Sequence, residues 1–225
     1  MMLTGRLRAR SLGGVELAAE ANLNANTVSL ILSNGLTCVL GLLFWGVAAR
    51  IFPAGDVGVA AALINSALML STLSLLSIDR FYERFLPIAG HRTGDLLTRG
   101  FLIAAAVAMG GGILLIVFGP RQALFTSTWV MLAYPLFVAV TAIFILQDKA
   151  LAGLGVARWA AVKSAVLAIG KFLALLAAAY LAGAGALAGA AAASTVIVAS
   201  WGVTATVIAA YVFVLLHRRC RDHPR

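Results

Sequence analysis

Acidic residues are scarce in this chain: eight Asp and Glu stand against 17 Lys and Arg among 225 residues, and only 11% of residues are charged. A soluble domain of this length needs a far larger polar share to cover its surface. The apolar runs hold no histidine, Asp or Glu and no Ser/His pair at plausible depth. Intramembrane proteolysis and metal hydrolysis need a nucleophile–base couple or a ligand set, so both are excluded from the reading. No Gly-Lys-Ser/Thr loop is present, and Gly153-Leu154-Gly155 is too short for a dinucleotide fingerprint. The chain is therefore not read as an enzyme, and no cofactor or metal is expected. Only two cysteines occur, Cys38 within an apolar run and Cys220 in a basic tail, too isolated for a bridge or a metal site.

What is present is apolar length. Hydrophobic residues make up 62% of the chain and mean hydropathy is +1.01. Val28–Ala49 and Val57–Ile78 each carry 22 residues without a formal charge. At about 1.5 Å per residue such a run crosses a hydrocarbon core of about 30 Å. Pro53 breaks the helix between them and Gly55 is expected to allow the turn, giving an antiparallel membrane hairpin. Four more runs follow, so the expected fold is an all-α integral membrane bundle of six helices. Their approximate spans are 28–49, 57–78, 101–118, 123–146, 164–181 and 190–216. Residues 1–26 form an amino-terminal segment and 217–225 a basic tail. The stretch Leu12–Leu23 reads either as an interfacial helix or as frayed chain, and the full-length first run argues against a cleaved signal peptide.

Charge placement orders the six runs. On the side of the amino terminus stand three basic residues before the first run, four after the second, three after the fourth and four in the tail, 14 in all. The opposite side has only Arg50 and Arg121. The positive-inside rule then places both termini in the cytoplasm. The same placement assigns the +9 net charge to orientation and to anionic lipid headgroups. Nucleic acid is not expected as a partner, because no basic patch stands clear of the spans.

Polar residues inside or beside the runs are the candidate functional groups. Asn34 and Asn65 either bond between helices or line a hydrated cavity. Lys171 interrupts the fifth run; it is either a functional cation at depth, or it lies near the headgroups in a span that starts later. Gln147 and Lys149 are placed just below the fourth span, and Asp148, Arg158 and Lys163 in the polar connection after it. Arg50 and Asp56, six residues apart across the first turn, either pair to tidy that end or belong to an outer gate. Asp79–Gly100 is the most charged interior stretch, and Arg80 and Glu83 there fall on one face as an i,i+3 pair. That stretch is either a solvated, membrane-anchoring helix end or a gate and phosphate-attracting patch that includes Arg80, Glu83 and Arg84. Gly110-Gly111-Gly112 allows close helix contact or a bend, Pro135 is a candidate kink, and Trp129 and Tyr134 are placed near an interface.

Two strings carry a resemblance. Leu43-Phe44-Trp45-Gly46-Val47-Ala48-Ala49-Arg50-Ile51-Phe52-Pro53 followed by Asp56-Val57-Gly58 resembles the first hairpin of bacterial polysaccharide flippases. These form the oligosaccharide-lipid branch of the multidrug/oligosaccharidyl-lipid/polysaccharide (MOP) exporter superfamily. Asp79-Arg80-Phe81-Tyr82-Glu83-Arg84-Phe85-Leu86-Pro87 looks like that family's charged exit from its second helix. The resemblance implies one six-helix lobe of a two-lobed transporter in the cytoplasmic (inner) membrane, with a cationic cavity between lobes and alternating access by lobe rocking. Its implied substrate is a lipid-linked, diphosphate-bearing oligosaccharide or polysaccharide precursor. The second lobe would come from another copy or a separate chain. A non-transporting scaffold of polysaccharide synthesis, a truncated inactive half, and a small-molecule exporter are the alternatives. The lack of Asp and Glu inside the spans weighs against a cation-coupled exporter.

Overall fold

The computed structural model describes residues 35, 37–125, 127–156, 158–183 and 193–222. Helix α1 covers Thr37–Ile51. It is followed by α2 (Ala54–Ser74), α3 (Ile78–Phe85), two 3-10 turns (Leu86–Ile88 and Gly90–Arg92), α4 (Thr93–Phe118), α5 (Arg121–Leu124), α6 (Thr128–Gly153), α7 (Arg158–Gly183) and α8 (Ala193–Asp222). Among the described residues there is no strand. Five helices, α2, α4, α6, α7 and α8, are long and apolar enough to cross a membrane, which makes the chain a multi-pass helical membrane protein. The expected first span is met only in its second part, because residues 28–34 and 36 lie outside the described residues, as do the amino-terminal segment and most of the expected turn at 182–189.

Helix ends fall where backbone chemistry puts them, and several differ from the apolar runs. Pro53 precedes α2 with φ −57° and ψ 140°, as a helix-breaking residue should. Gly55, however, lies inside the first turn of α2 and makes no left-handed turn; the tight link is Phe52-Pro53 alone. α2 stops four residues short of the expected Ile78, because Leu76 and Ser77 take φ +46° and +67°. The chain is thereby redirected, and α3 begins as a separate short helix. α4 starts at Thr93, eight residues before the apolar run, with the charged Asp95–Arg99 segment as its first turns. Its other end is capped by Arg121, whose Nε donates to the Ile116 carbonyl and Nη2 to that of Val117 (3.4 Å).

α6 runs seven residues past the expected Leu146, so Gln147, Asp148 and Lys149 are helical and the connection to α7 shrinks to four residues. The stop is a Schellman motif. Gly155 takes φ +72°, its N–H bonds the Ala152 carbonyl (3.0 Å), and the Val156 N–H bonds that of Leu151 (2.9 Å). The left-handed residue is glycine because any side chain would be strained there.

α6 is the central element: α2, α3, α4, α7 and α8 all pack on it. Two clusters form the interior, one around Phe44, Tyr134 and Trp201, the other around Tyr82, Phe101 and Leu146. Glycine sets the closest approaches. A methyl group on Gly112 of α4 would lie 2.8 Å from the Pro135 Cα of α6, and one on Gly170 of α7 would lie 2.6 Å from the Thr204 Cγ2 of α8. Close packing is thus the use of the triple glycine, through Gly112. Hydroxyls stitch the same helices together: Ser71 donates to the Val138 carbonyl (2.9 Å), and Ser66 and Tyr134 hydroxyls meet at 2.7 Å. Tyr134 is therefore a buried interhelical tie, whereas Trp129 is exposed in the first turn of α6. Tyr82 anchors α3, donating to the Leu97 carbonyl at 2.8 Å beneath Gly100 and Gly153; burial pushes its phenol well above the ordinary tyrosine range.

Candidate functional site

Lys171 lies thirteen residues into α7 and twelve from its end. The helix starts at Arg158, earlier than the expected Ser164, so this lysine stands at mid-helix. Its half-buried Nζ sits 5.2 Å from the Phe44 ring centroid of α1 and 5.8 Å from that of Trp201 on α8. Gly170 brings α7 against Thr204, which lets the lysine reach over the neighbouring α8 surface. Trp201 is itself held edge-on by Phe137 (5.6 Å, 76°). Among the described residues no carboxylate comes within 4 Å of Lys171. Two aromatic faces are worth about 0.5–2 kcal/mol each to a cation, against about 2.5–3.5 kcal/mol for a lysine at the centre of a spanning helix.

A second polar group closes one end of the bundle. The Lys163 ammonium, expected in an open connection, is buried inside α7, with a side chain only 2% exposed. It bonds Asp148 Oδ1 of α6 at 2.7 Å, donates to the Phe144 carbonyl and lies 3.7 Å above the Phe144 ring. Asp148 belongs to the part of α6 that runs on past the apolar run ending at Leu146, so it is helical although the run itself holds no acidic residue. Next to it Lys149 reaches Glu83 of α3 at 2.9 Å, and Glu83 also pairs with Arg80 at 3.6 Å, the i,i+3 contact expected from spacing. Gln147, fully buried, donates from Nε2 to the Ala209 carbonyl of α8 (2.8 Å) while its Oε1 has no partner among the described residues. Consecutive residues of α6 thus tie three different helices.

The other sequence candidates separate. Asn34 lies outside the described residues. Asn65 is exposed at the middle of α2 and is not drawn into the bundle. Arg50 is exposed and Asp56 half-buried, and they form no ion pair within 4 Å, so the expected tidy end of the first hairpin is not made by them. Arg84 has no carboxylate partner among the described residues and leans over the Phe85 ring at 5.7 Å. Sequence reasoning missed the Asp148–Lys163 pair. Its signal was symmetry: Asp148 stands five residues before the end of α6 and Lys163 five after the start of α7, so a short turn after Gly153 brings them level.

Among the described residues no cluster of three or more His, Cys, Asp or Glu is placed to hold a metal, and Cys38 is exposed. No family model, curated protein or solved structure matches the chain.

Proposed function

We propose that this chain is one lobe of a flippase-type transporter that moves an anionic, lipid-linked oligosaccharide or polysaccharide precursor across the bacterial cytoplasmic membrane, without covalent chemistry. Lys171 carries the proposal: a cation at mid-helix, flanked by Phe44 and Trp201 and with no carboxylate beside it among the described residues. A phosphate moving past would supply the missing counter-charge, and the aromatic faces offer the ammonium partial solvation in its absence. In this reading both termini are cytoplasmic, and the ties of Asp148 and Lys149 to α7 and α3 close the cytoplasmic end. The resemblance of the first hairpin to polysaccharide flippases supports the same substrate class. Lys171→Ala is expected to slow flipping of a fluorescent polyprenyl-diphosphate sugar in proteoliposomes by about tenfold or more, the ~1.4 kcal/mol worth of one charge-assisted contact. Lys171→Arg should retain most of the rate. Equal rates for the alanine variant and the parent, at equal insertion, would remove Lys171 from the transport path.

A second lobe is part of the proposal. On α2 the exposed residues Gly58, Ala62, Asn65, Met69 and Thr72 recur at spacings of four and three, a helix-pairing pattern with an amide at its centre. Asparagine both donates and accepts, so a second copy satisfies it. In a Cys38→Ser/Cys220→Ser background, Ala62→Cys and Asn65→Cys should give disulfide-linked dimers in membranes, whereas Ile103→Cys on the exposed face of α4 should not. Equal yields at all three positions would remove this face from the interface.

A second reading has its own observation. The Asp148–Lys163 pair between α6 and α7 is a carboxylate–ammonium couple that a cation-coupled small-molecule exporter could use, and transport that collapses with the proton or sodium gradient would favour that reading.

A further inference from the structure

We infer that α3 is a headgroup-level anchor that holds an anionic phospholipid. This goes beyond the transport reading and does not depend on it. At 3.6 residues per turn the helix carries four strips in order around its circumference. Tyr82, continued by Leu86, is buried in the bundle. Beside it lies an apolar strip that the bundle leaves uncovered: Phe81 and Phe85, stacked at 4.8 Å, with Ile88 just beyond the helix. Next come Arg84 and Arg80, and last Glu83 and Asp79, with Glu83 turned to Lys149.

A soluble protein would hide two stacked phenylalanines or surround them with water-facing charge on both sides. Here the charge that adjoins the phenylalanines is basic and sits on one side only, with the acidic strip beyond it. The chain position explains the pattern. α3 joins the end of spanning helix α2 to the start of spanning helix α4, and the left-handed residues Leu76 and Ser77 turn it away from the α2 path. An exposed apolar strip at that level meets acyl chains, and the arginines beside it meet phosphates. This is the arrangement of an interfacial amphipathic helix.

The arginines are available for this. Exposed Arg84, which leans over the Phe85 ring, and exposed Arg92, which follows Ile88, have no ion pair among the described residues. The two Arg80 contacts, 3.9 Å to Asp79 and 3.6 Å to Glu83, are long, and the Arg80 side chain is 79% exposed. Such surface pairs hold a guanidinium weakly. Tyr82 fixes the helix from the opposite side, so the strip is presented by a rigid element.

The test uses the purified full chain in detergent, with phosphatidylglycerol or phosphatidylcholine added, read by native mass spectrometry and by unfolding temperature. Phosphatidylglycerol should be retained preferentially and should raise the unfolding temperature more than phosphatidylcholine. The preference should weaken as salt is raised. Arg84→Gln/Arg92→Gln should cut it by about 30-fold, from ~1 kcal/mol per basic residue at a charged surface and ~1.4 kcal/mol per decade. Its unfolding temperature in detergent alone should not change. Phe81→Ser/Phe85→Ser should lose retention of both lipids. Equal retention of the two lipids by the parent chain would overturn the inference, as would an undiminished preference in the arginine variant. Protection by inorganic phosphate alone, at the same concentration, would instead make α3 a free-phosphate site. Should the arginine variant fail to fold, the salt titration of the parent chain decides.

Discussion

Asp148→Asn is expected to destabilise the protein by about 3 kcal/mol, the lower end of the range for breaking one side of a buried ion pair. The asymmetry of the pair sets this size. Lys163 is almost wholly enclosed and Asp148 about one-third exposed, so losing the carboxylate strands the ammonium more than the reverse. What then remains for Lys163 is the Phe144 carbonyl and ring, which solvate a charge without neutralising it. Removing both charges should recover most of the loss, because Asp148→Asn/Lys163→Met, unlike either single change, leaves a neutral contact between α6 and α7. Denaturation of the four proteins by dodecyl sulfate in mixed micelles gives the double-mutant cycle. If the asparagine variant stays within about 0.5 kcal/mol of the parent, or the double variant equals the sum of the singles, the pair is not coupled.

Gly112→Leu is expected to cost about 3 kcal/mol, the upper end for overpacking, or to prevent assembly of the bundle. The first carbon of a side chain there already meets the Pro135 Cα at 2.8 Å and its Cβ at 3.3 Å. Backbone lies on both sides, so no rotamer relieves the clash, and the α4–α6 contact has to open. Gly110→Leu makes the informative partner. A Cβ at Gly110 meets nothing within 4 Å, and leucine favours a helix by roughly 0.8 kcal/mol over glycine. Its unfolding free energy should match or exceed that of the parent. Equal gains at both positions would mean that helix propensity, not the α4–α6 approach, governs this segment.

The pair of glycines shows what sequence alone makes legible. Three consecutive glycines within an apolar run announce close contact, yet only the three-dimensional neighbour, Pro135, tells Gly112 from Gly110. Apolar length identified five spanning helices, because transfer of long uncharged runs from water is a large, additive term. It misplaced their ends, because ends depend on single backbone events. Leu76 and Ser77 in left-handed geometry halted α2, and the glycine stop at Gly155 carried α6 past its apolar limit. That second error hid the Asp148–Lys163 pair, since both residues were assigned to a loop. Lys171 was legible as an anomaly, a cation in an apolar run. Its aromatic neighbours were not, because Phe44 and Trp201 come from helices far apart in the chain. Asn65 was read as an interhelical bond or a cavity residue and lies on the face of α2 that the chain's own bundle leaves exposed, since a helix net gives the face of a residue but not which face the bundle covers.

The central position of α6 has a consequence for biogenesis. Ser66 of α2 finds its hydroxyl partner on Tyr134, 68 residues later, and Ser71 finds its acceptor on Val138, 67 residues later. At ~5–20 residues per second, translation separates such partners by roughly 3–14 seconds. Over that interval α2 and α4 are made and α6 is not. In lipid their unsatisfied hydroxyls can only bond back to their own helix, and the glycine face of α4 has nothing to receive. Nascent chains cut before Thr128 should therefore be held by the insertion machinery or cleared by membrane proteases, and chains extended past Gly153 released as a protease-resistant core.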